Sequence, residues 1–194
     1  DAQESRGLGD VYKRQFYDSE LIKVAAKESG ICEEIFESFD EKPTTSFLYS
    51  LVMDPYSLGY NSNSFDLPLN HKVFLAAFDT IKELASKGPC VFVGRCADYA
   101  LSEYKDCFSV FVHADTDWRI NRLSQKHNKT AKEAKDMINK TDKSRSSYYN
   151  YYTNKKWGAA SSYNLCVDSS KLGIDGAAKA IIQAIEIFDS IKNK

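Results

Sequence analysis

Asp142, Lys143 and Arg145 sit within one helical turn of one another and run directly into Tyr148, Tyr149, Tyr151 and Tyr152. If this segment is helical, Asp142 and Arg145 share a face, and a carboxylate there can hold a guanidinium aimed at a phosphate. The same residues equally suit a solvated amphipathic helix with an i,i+3 ion pair and a tyrosine-rich packing face. Further cations bear on the choice. Gly94-Arg95 directly follows the apolar run Cys90 to Val93, glycine permitting close backbone approach and arginine supplying a two-pronged phosphate fork. Arg119 and Arg122 are three apart and could project toward the same edge as Arg145, so that with Arg95 and Lys143 five cations would surround one cleft. Converging cations suit phosphoryl transfer, which asks mainly for positioning and for stabilisation of charge spread over the transferring oxygens. Loss of one such donor typically costs about 3 to 4 kcal/mol of transition-state stabilisation.

Those residues need elements to position them. Phe16-Tyr17 is a short strand candidate, and Asp18 or Ser19 can cap a helix carrying Leu21, Ile22, Val24 and Ala25 that stops at Gly30. A second short helix is predicted from Glu33 to Phe39. From Lys42 to Asn70 prolines and Gly59 punctuate a run rich in Ser, Asn and Tyr, a long excursion of the kind that carries function. The clearest helix spans Asn70 to Lys87, with Val73, Phe74, Ala77, Phe78, Ile81, Leu84 and Ala85 on one face and Gly88-Pro89 ending it. The apolar runs Cys90 to Val93, Phe108 to Val112 and Leu165 to Val167 lack alternation, which predicts strands buried on both faces. Helices follow each, at Ala97 to Leu101, at Asp117 to Lys126 after a cap at Asp115 or Thr116, and from Asp175 or Gly176 to Ile191. Between the second and third strands, Thr130-x-x-Glu133 is a capping box opening the helix that reaches the tyrosines. Strand and helix in alternation imply an α/β fold with a parallel sheet, whose ligands bind beyond the carboxyl ends of the strands. At those ends Asp115, Thr116 and Asp117 are expected as helix caps, and Asp168-Ser169-Ser170 as a turn.

The whole chain of 194 residues is the size of one domain, 43% hydrophobic and 27% charged. Its 26 basic and 27 acidic residues nearly cancel, so no overall field points to nucleic acid or an acidic membrane. Cys32, Cys90, Cys96, Cys107 and Cys166 are odd in number, contain no C-x-x-C and read as reduced core thiols. His71, His113 and His127 are isolated from one another, which argues against a structural metal. The apolar runs are strand-sized rather than membrane-spanning, and a cytoplasmic location is expected. Residues 1–15 are polar and unpatterned, and the string 6–15 resembles a translated sequencing-adapter scar, so they read as a foreign leader ahead of a single domain at 16–194.

Taken in order, the blocks Phe16 to Ile22, Lys87 to Asp98, Thr141 to Tyr149, Trp157-Gly158 and Tyr163 to Ser170 resemble the cytidylate kinase-like branch of the nucleoside monophosphate kinases. The resemblance implies a three-layer parallel sheet of the P-loop kinase type and transfer of the γ-phosphoryl group of ATP to a nucleoside monophosphate, with CMP or dCMP the expected acceptor. It implies that Arg95, with Gly94, Asp98 and Asp18 nearby, binds the acceptor, that Arg119 and Arg122 are the basic pair before the lid, and that Asp142, Lys143 and Arg145 belong to a lid at 141–158. The excursion at 42–70 takes the place of the monophosphate-binding segment, where Tyr49, Tyr56 or Tyr60 could stack on a base. ATP and Mg2+ are the implied cofactors, the magnesium arriving with ATP and with no protein ligand named. The family's first, central strand and its Gly-rich phosphate loop are not represented, since no G-x-x-x-x-G-K-[ST] occurs, and the chain as written is expected to be an inactive fragment. A non-catalytic nucleotide-binding regulatory module, or a P-loop kinase for another small metabolite, are the alternatives.

Overall fold

The computed structural model describes residues 15–18 and 69–192. The expectations for the helices at 18–30 and 33–39, and for Tyr49, Tyr56 and Tyr60 in the excursion, lie outside the described residues. Among those described, the elements are β1 (Gln15–Tyr17), α1 (Leu69–Ser86), β2 (Cys90–Phe92), α2 (Ala97–Ala100), β3 (Val110–His113), α3 (Thr116–His127), α4 (Ala131–Thr153), a 3-10 turn (Ala160–Ser162), β4 (Leu165–Asp168) and α5 (Ser169–Lys192). The strands form two parallel pairs, β1 with β2 and β3 with β4. The chain is thus a mixed α/β protein, mostly helical, with small parallel sheets.

The apolar stripe of α1 builds the first core. Ile81 is fully buried, at 0% exposure, and with Leu84 it packs against Tyr17 of β1, Ala97 and Ala100 of α2, and Leu101 just after it. β1 and β2 are registered Gln15 to Cys90, Phe16 to Val91 and Tyr17 to Phe92, and the Tyr17 and Phe92 rings stack at 5.3 Å. On the second pair, α5 lays Ala177 and Ile181 against Val167, Val110 and Leu165. Here the structure corrects the expectation of strands buried on both faces. Val112 is 52% exposed, because α5 covers that face of β3 at Val110 but not two residues further on, at the carboxyl end.

On the opposite face of β3, Phe111 meets Trp157 edge-on at 5.2 Å and stacks on Tyr163 at 5.0 Å. Gly158, at φ 74°, passes so close that a Cβ there would stand 3.2 Å from the Phe111 ring. This aromatic layer continues into α4. Tyr149 is buried with Phe74 and Cys96, and Tyr152 stacks on Phe74 at 3.9 Å and 9°. Of the tyrosines after Arg145, Tyr148, Tyr149 and Tyr152 therefore form a packing face, whereas Tyr151 is 51% exposed.

α4 is a 23-residue helix that opens on the expected capping box: the Thr130 hydroxyl accepts from the Glu133 amide, and Glu133 Oε2 accepts from the Thr130 amide at 2.8 Å. The α5 segment is two helical stretches joined at Gly173, whose backbone (φ 66°, ψ 174°) is non-helical, which is why the sequence signals place the helix start at Asp175 or Gly176. Cys90, Cys96, Cys107 and Cys166 are free thiols. Among the described residues no helix is long and apolar enough to cross a membrane.

Candidate functional site

Parallel pairing brings the carboxyl ends of β1 and β2 side by side. The Val93 amide donates to the Tyr17 carbonyl at 3.0 Å, which sets Asp18 next to the residues that follow β2. There the backbone does something unusual: Gly94 (φ 75°), Arg95 (φ 56°) and Cys96 (φ 55°) are left-handed in succession. Glycine adopts this conformation freely, whereas each side-chain-bearing residue held there costs about 1 to 2 kcal/mol. The turn is closed by the Ala97 amide donating to the Gly94 carbonyl at 3.1 Å, and Cys96, 4% exposed, is packed beneath it. Arg95 is half-buried, with its Nε atom away from solvent. A strained residue at a strand's carboxyl end, carrying a guanidinium, is where an open parallel sheet places ligand contacts.

Asp98 lies in the single turn of α2. Its Oδ2 accepts a 2.6 Å hydrogen bond from the Tyr149 hydroxyl. Burial, then the bond to Asp98 and its charge, push the Tyr149 phenol well above its ordinary range, so it stays protonated as the donor. The carboxylate of Asp98, which the resemblance implies lies near the acceptor, engages α4 here. Asp98 also borders a cavity of about 260 Å³ at the amino ends of β3 and β4, together with Cys107, Ser109, Lys155, Tyr163 and Asn164. Burial raises the Cys107 thiol, with the Asp98 charge acting in the same direction, so this cysteine is held as a neutral thiol. No sequence signal pointed to that cavity, because its lining comes from segments far apart in the chain.

The cations of α3 and α4 are organised differently from the helical-spacing expectation. Both oxygens of Asp142 accept from Arg119 of α3, at 2.7 Å from each terminal nitrogen. The pair, with side chains 30% and 27% exposed, sits where α3 packs on α4. The bond to Asp142 raises the Arg119 pKa further, so its charge is permanent. The guanidinium that Asp142 orients is thus Arg119's, and the expected orientation of Arg145 by Asp142 is corrected on this point. A two-pronged fork from a facing helix satisfies both carboxylate oxygens at once, which a neighbour on the same helix does less well. Arg122, one turn on, lies over the Trp118 ring at 5.5 Å. Lys143 and Arg145 are solvent-exposed on α4.

At the carboxyl ends of β3 and β4 the turn expected at Asp168 to Ser170 is present, whereas Asp115 makes no capping bond. Asp168 Oδ1 accepts from the Ser170 amide at 2.9 Å and from its hydroxyl at 2.5 Å, which depresses the Asp168 pKa. Lys171 Nζ reaches Asp115 at 2.6 Å, and the Ser169 hydroxyl donates to the His113 carbonyl at 3.0 Å. Asp115 occupies the cap position of α3 without a side-chain cap bond. Among the described residues no group of three or more His, Cys, Asp or Glu side chains is placed to hold a metal ion.

Comparison with known proteins places this geometry in context. A family model described as the cytidylate kinase-like family matches residues 5–171. No curated protein matches the chain. Among solved structures, the crystal structure of an uncharacterized protein from Eubacterium ventriosum ATCC 27560 is similar, with a TM-score of 0.69 and 24% identity over 95% of this chain and 89% of that one. At that identity the likeness speaks for the fold.

Proposed function

The chain belongs to the cytidylate kinase-like family, and from that premise we propose that it transfers the γ-phosphoryl group of ATP to a nucleoside monophosphate, with CMP or dCMP as acceptor. The observation that carries this reading is Arg95, held on a left-handed turn at the carboxyl end of a parallel strand and beside Asp18. A guanidinium there can take two oxygens of the acceptor phosphate, and Gly94 allows the phosphate to approach the backbone. Lys143 and Arg145, solvent-exposed on α4, and Arg122 of α3 would stabilise charge on the transferring group. Arg119, fully engaged with Asp142, acts as the brace that fixes α4 against α3. Magnesium arrives with ATP on its phosphates, and no step is assigned to a protein-held ion.

The test is coupled ADP production by the full-length protein with ATP, magnesium and each of CMP, dCMP, UMP and AMP. Turnover with CMP is expected, falling about 100- to 1000-fold in Arg95→Ala, the usual scale for loss of one charge-stabilising donor. Absence of turnover with every acceptor, in folded protein that binds ATP, would overturn the assignment in favour of a regulatory nucleotide-binding module or another substrate.

A further inference from the structure

We infer that Tyr149 is a positioning residue: its hydroxyl, bonded to Asp98, holds the left-handed turn that presents Arg95 and ties that turn to the helix bearing Lys143 and Arg145. The inference rests on the reading of Arg95 as the acceptor-phosphate residue. Three observations converge on it. Arg95 and Cys96 are both left-handed without being glycine, a conformation that persists only where the surroundings enforce it. α2, which follows, is a single turn of four residues and too short to hold the backbone before it. What stands behind both is α4: Cys96 and Tyr149 are buried in one cluster with Phe74, and the Tyr149 hydroxyl reaches across 51 residues of sequence to Asp98 at 2.6 Å.

The hydroxyl is the informative atom. A phenylalanine would fill the same space against Phe74 and Cys96, so packing alone does not call for a tyrosine. A hydrogen bond to a carboxylate is roughly twice as strong as one between neutral groups. Burial and the Asp98 carboxylate both keep the phenol protonated, so the bond is present throughout the neutral range. Arg95 lies three residues before Asp98, and Arg145 lies one helical turn before Tyr149. One contact therefore joins the turn carrying the acceptor arginine to the turn carrying the lid arginine, and a shift of either is transmitted to the other through rigid backbone.

Amide hydrogen exchange, read by mass spectrometry on the full-length protein, tests this without requiring activity. The amides of Tyr99, Ala100 and Leu101 are bonded to carbonyls of Cys96, Cys96 again or Ala97 and report on the turn. Tyr149→Phe and Asp98→Ala are each expected to speed exchange in a 97–101 peptide about tenfold, the loss of one charge-assisted bond. The double variant should go no further than either single, and Asp98→Asn, which keeps an acceptor oxygen, should fall between. Peptides of α5 should not change. CMP affinity, measured by calorimetry, should fall about tenfold in Tyr149→Phe while ATP affinity stays the same, a split that general loosening would not produce.

Unchanged exchange at 97–101 in Tyr149→Phe, or effects of the two single variants that multiply in the double, would overturn the inference. So would equal losses of CMP and ATP affinity. If Tyr149→Phe unfolds globally, the comparison of Asp98→Asn with Asp98→Ala decides the same question. A wild-type protein that binds no CMP would overturn the acceptor reading of Arg95, and the exchange data would still decide whether Tyr149 holds the turn.

Discussion

Arg119 commits both arms of its guanidinium to Asp142, a partner that helical spacing along α4 does not reveal. Helical spacing says which residues share a face of α4. It carries no information about which helix will pack against that face, and Arg119 lies 23 residues away in sequence. The same limit applies to Asp98, whose partner Tyr149 is 51 residues distant. What the sequence does carry is the chemistry of each residue and the punctuation around it, which is why Gly94-Arg95 could be singled out beforehand. If Arg119 braces α4, its fork matters more than its charge. Arg119→Lys keeps the charge and loses the two-pronged geometry, and Asp142→Ala removes the acceptor. Each is expected to lower stability to urea by about 1 kcal/mol, the double variant no more than either, because a partly exposed pair of good geometry sits near the top of the surface range.

α4 is the element on which the candidate site depends, and its two ends are secured by different means. The carboxyl end is fastened by aromatic packing and by Asn150, whose Oδ1 accepts from the Trp157 amide at 2.7 Å. The amino end relies on the Thr130–Glu133 capping box, and the middle of the helix is held by the Arg119 brace at Asp142. Thr130→Ala removes the hydroxyl that accepts from the Glu133 amide, and a loss of about 1 kcal/mol is expected by chemical denaturation, with fraying confined to the first turns in exchange measurements. This helix was legible in the sequence from its cap to its tyrosines, as were α1 and the positions of the strands. The exposure of Val112 was not, because a continuous apolar run specifies a strand but not how far a covering helix extends along it. The kink at Gly173 was readable only as a displaced helix start.

At the scale of the whole molecule, an unusual share of the packing is made by ionisable rings. Tyr17, Tyr149, Tyr152 and Tyr163 all have phenols raised above their ordinary value, each chiefly by burial. A folded pKa above the unfolded one means that the folded chain holds its proton more tightly. Their contribution to stability is therefore complete below about pH 10 and is lost as the pH climbs through the folded values. Denaturation midpoints are expected to fall steeply above about pH 10, and spectrophotometric titration should show a group of tyrosines that ionises only as the chain unfolds. The sequence holds two tryptophans, and the fold sets them in unlike places: Trp157 edge-on to Phe111 behind the carboxyl end of α4, and Trp118 beneath Arg122 on the helix that braces the middle of α4. The protein thus carries two indole fluorophores in different surroundings. A shift of α3 against α4 alone would alter the emission of Trp118 and leave that of Trp157 as a steady internal reference.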